Sequence, residues 1–208
     1  MVTRHRSLVW IVPLVWLSSS SCASAHSEWA GQLRDGDLVF QQSRSSQSQA
    51  IAAVTGSRYT HVGIVFLEKG RPFVVEAIGP SQWTPWARWV ARGVDGHVLV
   101  KRLTQADELL TAPIVTEMKR VARGLTSKPY DLRFEWCDDA LYCTELVYKI
   151  FKRGAGVEIG DLQKVGDLEL GYSGVLGTLR QRGIPRNRLV LTPRAMLEDP
   201  QLGTVLPR

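Results

Sequence analysis

Two apolar runs, His61 to Leu67 (HVGIVFL) and Phe73 to Ile78 (FVVEAI), flank the short segment Glu68-Lys69-Gly70-Arg71. A four-residue connection containing Gly between β-rich runs is a hairpin signature, so this stretch commits the chain to antiparallel sheet. With that loop, Leu67 faces Pro72, Val75 faces Ile64 and Glu76 faces Gly63. Side chains alternate along a strand, which places Glu76 on the His61 face, diagonal to it. A lone carboxylate inside FVVEAI is costly to bury, and a diagonal imidazole is a partner that lowers the cost. The alternative is that this face is simply wet.

Other strand signals are Asp37 to Gln41 (DLVFQ), His97 to Leu103 (HVLVKRL) and Arg188 to Leu191. His97 follows the turn Val94-Asp95-Gly96 and is expected to open an edge strand. Helices are punctuated by Ser or Thr before an apolar-periodic run and Gly after it. The pattern predicts helices over Ser46 to Val54, closed by Gly56, and from Thr84-Pro85 to Gly93. It predicts two more over Thr111 to Arg123, ended by Gly124, and Tyr142 to Arg153, ended by Gly154. Shorter helices are expected after Ser173 and Thr192-Pro193. Strands in the middle with helices before and after indicate an α+β fold rather than repeated βαβ units.

The N-terminus reads as an export signal spanning residues 1–25, with the catalytic domain over 26–208. Arg4 and Arg6 precede the apolar run Leu8 to Leu17, which is too short to span a bilayer as a stable helix. Ala23-Ser24-Ala25 offers cleavage before His26, while Cys22 after LSSSS offers lipid anchoring instead. The domain is therefore expected outside the cytoplasm, in the periplasm or cell envelope. Loss of Arg4 and Arg6 with the leader takes the formal charge from +6 to +4, and no long run of like charge occurs. That excludes the usual nucleic-acid footprint and leaves a weak peripheral attraction to anionic membrane surfaces.

Outside the leader the cysteines are Cys137 and Cys143. Cys143 begins the helix predicted from Tyr142, where free backbone N–H groups and the positive end of the dipole favour a thiolate and can receive an oxyanion. Packing as a small buried residue is the equal alternative on position alone. A thiol nucleophile needs a base. Of the four histidines, His61 is the one held at the start of a strongly apolar strand after the turn-like Gly56 to Tyr59. Glu76 is then placed to orient it, and the helix that begins near Cys143 is expected to pack across the face shared by His61 and Glu76, its N-terminus towards His61.

These residues sit in segments that resemble a known family. LRDGDLVFQ (Leu33 to Gln41), YTHVGIVF (Tyr59 to Phe66), VVEA (Val74 to Ala77) and YDLRFEWCDDALYCTELVYKIF (Tyr130 to Phe151) resemble the YiiX/YebB-like branch of the NlpC/P60 superfamily. The resemblance implies a papain-like fold with circularly permuted order, its antiparallel sheet packed on a helix that bears the nucleophile. It implies Cys143 as nucleophile, His61 as base, Glu76 as the group orienting His61, and no cofactor or metal. Tyr130 and Tyr142 are candidates for lining the site, with aromatic packing as the alternative. The implied substrates are amides of cell-wall peptides or acyl and lipid groups. Trp83, Trp86 and Trp89 offer a greasy groove for the latter, or simply core. Two rival readings remain: a non-catalytic lipid- or peptide-binding envelope protein on the same fold, and a metal site from His61, Cys137 and Cys143, whose spacing matches no familiar zinc pattern.

Overall fold

The computed structural model describes residues 29–171 and 173–206; the leader, Cys22 and the cleavage point before His26 lie outside the described residues. The hairpin forms in the expected register. Strand β2 (His61–Glu68) pairs with β3 (Arg71–Ala77), Leu67 opposite Pro72 and Ile64 opposite Val75. Around it lie β1 (Leu38–Gln41), β4 (Ser81–Pro85), β5 (Val98–Leu103) and β8 (Leu202–Leu206), giving one antiparallel sheet in the order β4-β3-β2-β1-β5-β8. The fold is α+β, with β6 (Gln163–Lys164) and β7 (Leu189–Val190) making a separate small ribbon.

Three expectations are corrected. β5 is not an edge strand, because β1 and the C-terminal β8 flank it on both sides. Thr84 does not open a helix; it sits in β4 opposite Val74, and the helix α2 (Trp86–Arg92) starts only after Pro85. The Thr-Pro pair imitates a helix start, and pairing with β3 overrides it. Gly154 does not end its helix, which runs Cys143–Ala155 and stops at Gly156 in the left-handed conformation.

The other helices are α1 (Ser46–Thr55), α3 (Ala106–Leu109), α4 (Ala112–Gly124), α6 (Ser173–Gln181) and α7 (Pro193–Leu197), the Cys143 helix being α5. α4 and α5 cover one sheet face. Leu38, Phe40, Val62, Ile64 and Phe66 meet Met118, Leu146, Ile150 and Phe151 there. Burial of each such side chain contributes about 1.5–3 kcal/mol. Gly154 lets the helices approach, since a Cβ on it would lie 2.6 Å from Met118 Cα. On the other face Val39, Val65 and Val74 pack against Trp86, Trp89 and Val90 of α2. Both faces are therefore dry, and a polar side chain within either must find a partner.

Candidate active site

His61 is the first residue of β2 and lies at one end of the sheet, paired with Gln41 of β1. Its ring is on the α2 face, stacked on Trp89 with centroids 6.4 Å apart. Nε2 meets Glu76 Oε2 at 2.7 Å, so the diagonal relation counted from the hairpin is realised. Gly63 makes room for this approach: a Cβ there would come within 2.3 Å of Val74 Cγ1 and 3.5 Å of Glu76 Cβ.

Glu76 is fully buried, and three groups hold its carboxylate. Besides His61, the Thr84 hydroxyl donates to Oε1 at 2.5 Å, and Arg92 Nη2 donates to both oxygens at 2.5 and 2.6 Å. Burial opposes the anion most, but the hydrogen bond and charge of His61, the Thr84 hydroxyl and the Arg92 charge together hold the carboxyl below its ordinary range. Thr84 and Arg92 went unnoticed in the sequence. The pair Thr84-Pro85 hid a strand, and Arg92 reaches Glu76 only because α2 folds back over β3.

Cys143 arrives from the opposite face. The helix α5 packs on the Ile64 side of the sheet rather than across the His61–Glu76 face as the register argument would have it. Its N-terminus reaches the end of the sheet, where the terminal His61 can be met from either side. Several bonds fix that N-terminus: Leu141 N–H to Pro129 O at 2.9 Å, Thr144 Oγ1 to Leu191 O at 2.7 Å, and Tyr142 N–H to Glu145 Oε2 at 3.4 Å. Leu146 N–H bonds to Tyr142 O, leaving the earlier amides of the first turn without intrahelical acceptors.

The Cys143 side chain neighbours the imidazole and acts on it, as Glu76 does, through hydrogen bonding and charge. Since Nε2 serves Glu76, the nitrogen towards Cys143 is Nδ1. Burial is the largest single influence on His61 and disfavours its cation, yet the bonds to Cys143 and Glu76 and their charges outweigh it, raising its pKa from 6.5 to about 9. The ring is therefore an imidazolium at neutral pH.

Tyr130 and Tyr142 both line the site but differ in what they do. Tyr130 neighbours Cys143, and its hydroxyl accepts from Gln47 Nε2 at 3.3 Å. Burial first, then the neighbouring Cys143, push its ionisation well above 10, so it stays a donor. Tyr142 is a brace: its ring takes Phe134 and Trp136 edge-on, and its hydroxyl accepts from Leu191 N–H at 3.2 Å.

From Cys143 a cavity of about 110 Å³ runs beneath α6. Ile51, Val54, Leu170, Val175, Leu179 and Val190 make its walls apolar. Trp83, Trp86 and Trp89 take no part in it. Trp86 and Trp89 are core, stacked at 5.9 Å, and Trp83 stacks on Phe66 at 5.5 Å. The greasy groove is thus built by α1, α6 and β7, segments whose apolar residues are unremarkable in sequence and meet only in three dimensions.

Residues 32–206 match the model of the family described as permuted papain-like amidase, YaeF/YiiX, C92. The chain belongs to this permuted papain-like amidase family. It is 36% identical over 180 residues to the uncharacterized protein YiiX of Escherichia coli K12, covering 85% of this chain and 88% of that protein. It also superposes on the crystal structure of YiiX from Escherichia coli O157:H7 with a TM-score of 0.80 at 36% identity, covering 85% of this chain and 98% of that one. The family is one of hydrolases acting on amide bonds.

That crystal structure is described as a metalloprotein. Among the described residues of this chain, no three or more His, Cys, Asp or Glu side chains are grouped to hold a metal ion. His61 Nε2 is committed to Glu76, and Cys137 is a free half-buried cysteine whose carbonyl accepts from Lys149. The described residues do not fit a metal site.

Proposed function

We propose that the protein is an exported thiol hydrolase that cleaves an amide joining an acyl chain to an amine. Cys143 Sγ attacks the carbonyl carbon while the proton it shares with His61 rests on Nδ1 of the imidazolium. The oxyanion is received by the Cys143 backbone N–H and the Tyr130 hydroxyl, which Gln47 orients. His61 then protonates the leaving nitrogen as the C–N bond breaks, leaving an acyl thioester on Sγ. Water splits that thioester: its hydroxyl goes to the acyl carbon and its proton returns through His61 to the sulfur. Glu76, held by Thr84 and Arg92, keeps the imidazole oriented and charged until the proton is needed.

The observation that carries this reading is that Cys143 lines an apolar cavity and neighbours His61, which is bonded to Glu76. The cavity walls are apolar, so an acyl chain that enters gains about 0.8 kcal/mol for each CH₂ group buried. The leader-like N-terminus and the resemblance to NlpC/P60 hydrolases support a substrate of the cell envelope, an acylated peptide or a lipid, reached by an exported or lipid-anchored enzyme.

The test is a trapping experiment. The full-length protein is incubated with an N-acyl amide, quenched in acid and digested, and the mass added to the Cys143 peptide is read. An acyl mass that is absent from Cys143→Ala supports the reading. An unmodified Cys143 peptide together with saturable binding of the amide would make the protein a binder on the same fold.

A further inference from the structure

Resting on the acyl transfer proposed above, we infer that the amine released carries an anionic group, a carboxylate or a phosphate, and that Arg44 and Arg58 receive it. The geometry divides the substrate in two. Cys143 lines the apolar cavity but His61 does not, so the acyl part extends away from the imidazole into the cavity. The leaving nitrogen must touch His61 to take its proton. The leaving group therefore lies on the His61 side of the sulfur, at the end of the sheet where β1 and β2 meet.

That end is basic, and two of its arginines, Arg44 and Arg58, pair with no carboxylate among the described residues. Arg44 stands in the loop between β1 and α1, exposed, next to Ser43, whose N–H bonds to the Thr60 hydroxyl immediately before His61. Its guanidinium donates only to the Gly93 carbonyl, at 3.3 Å, and pairs with no carboxylate among the described residues. Arg58, also exposed, lies 6.0 Å over the Tyr59 ring and likewise has no carboxylate partner among them. Tyr59 in turn bonds to His97, and the Val94–Gly96 turn that carries Gly93 and His97 links the two arginines into one rim. Arg92 comes from the same side, already engaged by Glu76, and Arg88 one turn earlier on α2 is exposed. The rim's own acid is Asp95, which is exposed, while Glu76 is spent on Arg92 and His61. Elsewhere Arg34, Arg120, Arg123 and Arg153 have carboxylates within 3.0 Å while Arg71 and Arg180 have none among the described residues, so what marks Arg44 and Arg58 is their place in the loops that flank His61. Two arginines left unpaired beside the leaving-group position are the side chains an anion would find, since a guanidinium binds carboxylate and phosphate through matched pairs of N–H groups.

The experiment reads binding and turnover separately. Affinities are measured by calorimetry on full-length Cys143→Ala with N-octanoylglycine and its uncharged glycinamide, and with N-octanoyl-phosphoethanolamine and its uncharged ethanolamide. The expected result is an affinity about tenfold higher for an anionic member than for its neutral partner, the equivalent of one charge-assisted hydrogen bond, shrinking as salt is raised. Combining Arg44→Gln and Arg58→Gln should collapse that ratio towards one. The carboxylate and phosphate pairs show which source of charge the rim prefers. Equal affinity within both pairs, or a preference that survives the double substitution, overturns the inference. Release of free amine from the same compounds by the unsubstituted enzyme tests the hydrolase reading on its own: a charge preference without turnover would refute the reaction and leave the anion site standing.

Discussion

Replacing Glu76 by Gln tests the electrostatics of the site without removing its shape. Glutamine keeps an oxygen that can accept from His61 Nε2, and Arg92, 38% exposed at its side chain, can be solvated once its carboxylate is gone. The charge is withdrawn together with one acceptor oxygen, in whose place the amide NH₂ can donate to the Thr84 hydroxyl. His61 titrates at about 9 rather than 6.5, and at 1.36 kcal/mol per unit that difference is worth about 3 kcal/mol in favour of the folded imidazolium. The folded value lies above the unfolded one, so this contribution is fully present below about pH 6.5 and is lost as pH rises through about 9. Cys143 and Glu76 both supply it, Cys143 first, and the substitution should remove a third to a half, moving the His61 midpoint down by about one unit. The midpoint is read from the carbon-bound ring protons by NMR. Denaturant midpoints near pH 6 and about pH 10 give the same quantity as stability, with the unsubstituted protein losing about 1 kcal/mol more than the variant across that interval. A variant whose His61 titrates where the parent does would refute the argument, because the charge of Glu76 would then not be what holds the proton.

Gly154→Ala should destabilise the protein by about 1–3 kcal/mol, although alanine is the better helix former, because its Cβ would meet Met118 Cα at 2.6 Å; thermal unfolding decides which effect wins. Tyr130→Phe leaves the ring in place and removes the hydroxyl neighbouring Cys143, so kcat on an N-acyl amide should fall about a hundredfold with KM little changed. Equal kcat in the two proteins would take Tyr130 out of the oxyanion site. Mass analysis of protein recovered from an envelope fraction should find an N-terminus at His26, and a lipidated Cys22 would reassign the exit from the leader.

The hairpin was legible because its information is local. A four-residue loop and two alternating runs determine a register, and register alone brings His61 to Glu76. Cys143 at the head of a helix was legible for the same reason, as were Gly56 closing α1 and Thr192 capping α7. Gly154 was misread because a glycine that ends a helix and one that admits a neighbouring helix look alike in one dimension; Met118, 36 residues earlier, makes the difference. Which sheet face α5 covers was likewise misread, as the His61–Glu76 face, since the apolar stripe of a helix fits either side of a sheet whose strands are hydrophobic throughout. Packing resolved it by giving one face to α4 and α5 and the other to the tryptophans of α2. Thr84, Arg92 and Gln47 gained their roles only then, and so did the walls of the cavity. Each is an ordinary side chain whose significance is the distance to a residue far away in sequence. That distance is set by the close packing of elements, not by any property of the segment that carries it.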